Sequence, residues 1–322
     1  LGASPDFEAG QCVAGFPVMH AKLSASLSLA LLVDAACAMV PIPELPSSWP
    51  DAVCPGELEV GGLGSIQAVP MWWDNVSLPS SDAIVTKIGG RAYWANACTP
   101  GLYDQNQYLG LNLLGSTLRY KTDISGAGCG CNAALYLTAM RQNSQPTPCK
   151  DYYCDANSVC GVACTEIDIQ EANMHAWHST LHSFKDAEGY GKGYGGGGRN
   201  WTGPRQWSSD EYGPGAPCID TNWPFEVAVS FPLTDEGRLA AVKVTLVQTP
   251  WMESPCHLRL ALDNYTHDGR DAFGELTEAL AAGMTPVVSY WESKEMLWMD
   301  GDGKDHSGPC QADLEKPCAE SV

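Results

Sequence analysis

Basic residues are scarce: 18 Lys and Arg stand against 38 Asp and Glu in 322 residues, a formal net charge of −20. A surface that negative repels phosphate backbones and anionic lipid, so neither a nucleic-acid nor a membrane partner is expected. No apolar run reaches the ~20 residues that a spanning helix needs. No repeated C-x-x-C pair is present for a zinc ribbon and no H-E-x-x-H for a zinc protease. The glycine run Tyr190 to Gly198 lacks the Lys-Ser/Thr ending of a phosphate loop and reads as a flexible connector. His175, His178 and His182 would share one face of a helix, but the strand-like sequence before them argues against a helix. Asp300-Gly-Asp302-Gly-Lys-Asp305 alternates oxygen ligands without the bidentate Glu of a calcium loop, and reads as a polar turn. The expectation is therefore no metal and no cofactor. Charged residues make up only 17% of the chain and apolar residues 44%, which excludes disorder and supplies a substantial core.

Cysteine, by contrast, is abundant, and fourteen is far too many for a reducing compartment in a chain with no metal motif. Met19-His20-Ala21-Lys22, the uncharged run Leu23 to Val33 and Ala36-Cys37-Ala38 stand in the order of a basic, an apolar and a small-residue signal region. On this reading Met19 is the initiator, residues 1–38 are upstream sequence plus signal peptide, and residues 39–322 form one catalytic-sized domain. Setting aside Cys12 and Cys37 leaves 14 − 2 = 12 cysteines, enough for six disulfides. Sequons at Asn75, Asn200 and Asn264 fit the same secretory route. Secretion to the cell exterior or cell wall, as a monomer, is the expectation.

Runs rich in β-branched or alternating residues recur between Gly and Pro punctuation: 83–88, 118–124, 134–138, 166–169, 225–231, 239–247, 258–262 and 285–291. Their spacing predicts an all-β antiparallel sandwich with few helices. The best helix candidate runs from Arg270 to Ala282 and stops at Gly283.

Glu166-Ile167-Asp168-Ile169-Gln170-Glu171 places three carboxylates in six strand-like residues. In a regular strand Glu166 and Asp168 share a face and Glu171 points to the other. A bulge between Asp168 and Glu171 would bring all three together. Ile167 and Ile169 mark the opposite face as buried, against the alternative of an exposed acidic edge. Crowded carboxylates split their pKa values, with Glu171 raised and Glu166 kept low. One ionised and one protonated carboxyl is what glycosidic cleavage requires.

The segment Glu166-Ile-Asp-Ile-Gln-Glu171-Ala172-Asn173 closely resembles the E-x-D-x-x-E-A-N active-site motif of glycoside hydrolase family 7, the secreted cellulases. Further pieces resemble that family in order along the chain, from about Gly89 to Asp300. They are Cys129-Gly-Cys-Asn132-Ala-Ala-Leu-Tyr136, Tyr153-Cys154-Asp155, Asn200-Trp201-Thr-Gly-Pro-Arg205 with Tyr212-Gly-Pro-Gly215, and Gly283 to Trp291 with Met296-Leu-Trp298-Met-Asp300. The resemblance implies a concanavalin-like jelly roll whose concave sheet forms a glucan-binding cleft. It implies retaining hydrolysis of β-1,4-glucan, with Glu166 as nucleophile, Glu171 as acid/base, Asp168 orienting Glu166 and His182 in support. By the same resemblance Asn132, Tyr136, Tyr153 and Asp155 would line the donor sugars, and Arg205 would hold a hydroxyl beyond the cleavage point. Eleven Trp are an ample supply of stacking platforms, and Trp291, Trp298 and, less directly, Trp201 are the candidates.

The chain also departs from the family pattern. The stretch from Cys154 to Glu166 is short, the spacing from Trp291 to Trp298 is tight, and the region from Met39 to Lys87 has little resemblance, leaving Trp72 and Trp73 as mere candidates. Short loops imply an open groove and internal cutting. The alternatives are a processive cellobiohydrolase, a β-1,3- or mixed-linkage glucanase, and a catalytically silent cell-wall glucan-binding protein.

Overall fold

The computed structural model describes residues 51–71, 73, 75–184, 193–195, 207–249, 254–263, 265–266, 269–294, 296–301, 310 and 318–322. The signal-peptide reading, Cys12, Cys37, Trp72, Trp201, Arg205, Asp302, Asp305 and the sequons at Asn200 and Asn264 lie outside the described residues.

The first half contributes β1 (Glu57–Val60), β2 (Gly64–Pro70), β3 (Val76–Ser80), β4 (Ala83–Thr86), β5 (Gly90–Ala95), β6 (Thr117–Thr122) and β7 (Cys131–Thr138). Next come β8 (Glu166–Ala172), β9 (Trp177–His182), β10 (Tyr194–Gly195), β11 (Tyr212–Gly213) and β12 (Ile219–Asp220). The last third holds β13 (Phe225–Ser230), β14 (Val242–Gln248), β15 (Cys256–Leu262), α1 (Ala272–Ala282), β16 (Thr285–Glu292) and α2 (Leu297–Asp300). An eight-stranded antiparallel sheet has the order β1-β2-β5-β16-β7-β8-β9-β10, and a four-stranded antiparallel sheet the order β15-β14-β13-β6.

The two sheets share one core. Leu137, Ile167, Ile169, Trp177, Leu181 and Tyr290 of the large sheet pack in a single cluster with Phe225, Val227, Val229, Val244, Leu246 and Leu258 of the small one. Burying that apolar surface is the main force holding the sandwich closed. In the small sheet, β13 and β14 alternate buried and more exposed residues, the pattern of strands with one wet face. β7 and β9 are buried at every position instead: a second cluster covers Ala134 and Tyr136 of β7, and α2 lies against β9. That is why Trp177–His182, polar at four of its six positions, carries no alternation by which to recognise a strand.

The expected strands lie within two or three residues of those observed, and the predicted helix starts two residues later than expected. Asp271 caps α1 by accepting from the Gly274 N–H at 2.9 Å. Gly283 ends it with φ +96°, and a Cβ there would meet the Gly110 backbone at 2.9 Å, so glycine is required twice over. The connector reading of the glycine run is corrected in part: Tyr194-Gly195 pairs with Leu181 and Thr180 as an edge strand of the large sheet.

Six disulfides join Cys54 to Cys98, Cys129 to Cys310, Cys131 to Cys318, Cys149 to Cys160, Cys154 to Cys164 and Cys218 to Cys256. All twelve cysteines left after Cys12 and Cys37 are thus paired, as the count anticipates. A network of this density belongs to proteins that fold in an oxidising compartment.

Candidate active site

β8 is irregular where the carboxylates sit. It pairs Asp168 with Thr180 and then Glu171 with His178, so Ile169 and Gln170 together oppose Ser179. On its other side the register slips between Leu135, opposite Gln170, and Tyr136, opposite Asp168. This is a bulge of one extra residue. It resolves the alternative left open by the sequence: Ile167 and Ile169 enter the shared core, while Glu171 hydrogen-bonds Asn132 and Asp168 meets His182 away from that core.

Each carboxylate has its own partner. Glu166 Oε2 accepts the Ala156 N–H at 2.8 Å. Asp168 Oδ2 lies 3.0 Å from His182 Nε2, and Glu171 Oε1 accepts from Asn132 Nδ2 at 3.0 Å. One polar atom each of Glu166, Asp168 and His182 falls within 4.8 Å of the other two. That donor set is compact enough for a cation, though the His182–Asp168 contact already occupies part of it. Glu166 and Asp168 are only 7% and 6% exposed.

Burial next to like charge sets the protonation. Burial, and then the negative charge of Asp168, push the Glu171 carboxyl up to about 8, against smaller opposing pulls from His182 and Asn132. Glu166 is also raised well above the usual carboxylate range, by burial and by the charges of Asp168 and Asp155, with His182 and the Ala156 N–H pulling it down. The expectation that Glu166 stays low is therefore corrected. A carboxylate taken out of water beside two other acids pays for its charge even when one N–H points at it. These groups exchange protons as one system.

Residues 143–165 bring Tyr153, Asp155 and Ala156 over the face of the large sheet. The Tyr136 and Tyr153 hydroxyls are 3.0 Å apart, and Asp155 Oδ1 accepts the Val159 N–H at 2.9 Å. Lys150, Tyr152 and Ser158 have φ values of 62°, 63° and 57°, a conformation that costs about 1–3 kcal/mol each without glycine. Cys149–Cys160 and Cys154–Cys164 hold the segment in that state. Beneath it the Arg91 guanidinium lies 3.5 Å from the Tyr153 ring centre and 3.8 Å from Asp151. Tyr108 Oη bonds the Asp151 carbonyl at 2.6 Å.

At the other end of β8, Asn173 Nδ2 donates to Asp300 Oδ2 at 2.6 Å, and the Gly130 N–H reaches the same oxygen at 2.8 Å. Asp300 therefore points into the protein as the anchor of α2, which corrects its reading as part of a polar turn. His178 and His182 lie on a strand, not on a helix face. Trp298 is 37% exposed and its ring meets His178 edge-on at 5.8 Å. Trp291 is half-buried against Ala176, Met296 and Met299. Sequence reasoning missed Ala156, which acts through a main-chain N–H and has no side-chain signature. It also missed Arg91, and it named His178 and Asp300 without the contacts they make here, because their partners lie far away along the chain.

Fold and site together define a class, a β-sandwich with a bulged strand that presents paired carboxyls. The comparisons narrow the class. The chain is 29% identical over 254 residues to Endoglucanase 1 of Pyricularia oryzae, covering 64% of this chain and 60% of that protein. It is 28% identical over 280 residues to Endoglucanase EG-1 of Hypocrea jecorina, covering 76% and 55%. The chain thus spans a little over half the length of the curated relatives it matches. The native structure of Humicola insolens endocellulase EGI superposes with a TM-score of 0.51 at 22% identity, over 73% of this chain and 71% of that one. No family model matches the chain. In sequence the chain resembles the family 7 glycoside hydrolases, and its fold is their jelly-roll sandwich.

Proposed function

We propose that this protein is a secreted, retaining endo-β-1,4-glucanase acting on cellulose or a related cell-wall β-glucan. The observation that carries the reading is the bulge in β8, which gathers Glu166, Asp168 and Glu171 with different partners for each. In the active form the charge sits on Glu166, held by the Ala156 N–H, and the proton on Glu171. Glu166 attacks the anomeric carbon and forms a glycosyl ester, while Glu171 passes its proton to the departing glycosidic oxygen. Glu171, now ionised, takes a proton from water as that water attacks the ester, and Glu166 leaves as carboxylate. The negative charge of Asp168 next to Glu171 favours the protonated form of Glu171, against a smaller opposing pull from His182, which pairs with Asp168.

Asn132, Tyr136, Tyr153 and Asp155 would meet the donor sugars, and Arg205, Trp298 and Trp291 the leaving-group side. The short stretch between Cys154 and Glu166 favours an open groove and internal cutting. The named activities of the endoglucanase relatives support the same substrate class. The six disulfides support secretion.

The test is reducing-sugar release from carboxymethylcellulose and from laminarin by the wild type and by Glu166→Gln. Release from carboxymethylcellulose alone, with a rapid fall in viscosity and loss in the variant, is expected. Activity on laminarin alone would move the reading to a β-1,3-glucanase, and no release from either would leave a glucan-binding protein. Leu1 found at the N-terminus of secreted material would overturn the processing assignment.

A further inference from the structure

α2 is four residues long, Leu297–Asp300, too short to be stable by itself. Its position is set by side chains from the strands that carry the carboxylates. His178, which opposes Glu171 across β8 and β9, is fully buried, and its Nε2 lies 2.7 Å from the Met299 carbonyl. A carbonyl oxygen only accepts, so the imidazole proton is on Nε2 and donates to the helix. At the next residue, Asp300 Oδ2 takes hydrogen bonds from Asn173, two residues past Glu171, and from Gly130, two residues before Asn132. Met296 and Met299 are buried against Ala176, and Trp291 packs on them. Between these fixed neighbours Trp298 stays 37% exposed, its ring held edge-on at 5.8 Å and 74° by His178. The same histidine thus touches both the ring and the main chain of the segment that presents it.

We infer that His178 is a positioning residue, fixing Trp298 as a stacking platform for the sugar that leaves from Glu171 and thereby favouring substrates whose leaving group is itself a sugar. The inference rests on the glucanase reading of the site. A pyranose offers an apolar C–H face that gains from an aromatic ring only when the ring's height and tilt match. A platform free to tilt forfeits that gain. His178 ties both to the strand pair of Glu171, so the platform and the proton donor move as one body.

The test compares wild type, His178→Ala, His178→Gln, Trp298→Ala and the double variant His178→Ala/Trp298→Ala on cellopentaose and on an activated aryl β-cellobioside, which places no sugar on Trp298. His178→Ala should lose roughly tenfold in kcat/KM on cellopentaose, mostly through KM, and less than about twofold on the aryl glycoside. Gln, whose amide N–H can reach where Nε2–H does, should restore most of the loss. In the Trp298→Ala background, His178→Ala should add nothing. His178→Leu fills the space without the donor and gives the same discrimination where the Ala variant does not fold. Equal loss on both substrates would show that His178 serves Glu171 itself, and full loss persisting without Trp298 would break the link to the platform; either overturns the inference while the glucanase reading stands. A wild type inactive on both substrates overturns that reading, and the inference with it.

Discussion

The backbone N–H of Ala156 points at Glu166 Oε2 from 2.8 Å away, across ten residues of chain. It is a fixed dipole aimed at one oxygen of the proposed nucleophile, in a site where burial otherwise opposes the charge. Ala156→Pro removes this donor, and Ala156→Gly keeps it. Because the N–H holds the Glu166 pKa down, its loss should move the acid limb of the kcat/KM profile to higher pH. Activity below that limb should fall about tenfold to a hundredfold, the value of a hydrogen bond to a charged group. A proline variant with the pH profile of the glycine variant would remove Ala156 from this role.

Glu171, raised to about 8, should set the alkaline limb of activity. Glu171→Gln cannot deliver a proton, so that limb should disappear. Substrates with poor leaving groups should slow by ~10²–10⁴. Activated aryl glycosides should retain far more of their rate in the first, glycosylation step. Pre-steady-state bursts on both substrate types check this, and equal slowing of both bursts would assign the acid elsewhere.

The same shift has a thermodynamic sign. A folded-state pKa near 8 against an unfolded value of 4.5 means that the native protein holds a proton the unfolded chain releases between those two values. The advantage of the protonated carboxyl is full below about pH 4.5 and is lost as pH rises through about 8. Glu171→Gln, neutral at every pH, should therefore gain in stability over wild type as pH climbs from 5 to 8, by an amount on the order of a few kcal/mol. Melting temperatures across that window measure it, and a difference that stays constant with pH would contradict the shift.

The segment 143–165 is held in left-handed backbone at Lys150, Tyr152 and Ser158 by two disulfides. Replacing Cys154 and Cys164 together by Ser should release part of that segment and withdraw Ala156 from Glu166. The loss of cross-linking is worth about 2–4 kcal/mol. We expect more than tenfold lower turnover, with the far-UV circular dichroism of the sandwich retained. Unchanged turnover would show that the strand face alone positions the carboxylate.

The sequence alone determined the strands of the small sheet, because one wet face and one buried face impose an alternation that can be read without partners, as in Phe225–Ser230. It likewise determined α1, whose cap at Asp271 and stop at Gly283 are local, and the number of disulfides, which is arithmetic on the cysteines. The acid cluster and its resemblance to family 7 were visible because six adjacent residues carry them. Tertiary structure decided the rest. Whether Glu171 joins Glu166 and Asp168 depended on which residue of β9 stands opposite Ile169 and Gln170, and pairing register is a property of two strands, not one. β9 itself was hidden, since a strand covered on both faces has no period to show. The Ala156 N–H on Glu166, the Asn173–Asp300 bond across 127 residues and the hold of His178 on Met299 join groups that nothing in the local sequence relates. Even the upward shift of the Glu166 carboxyl escaped the sequence: neighbouring charges can be counted in a row of letters, but how much water the fold leaves around them cannot.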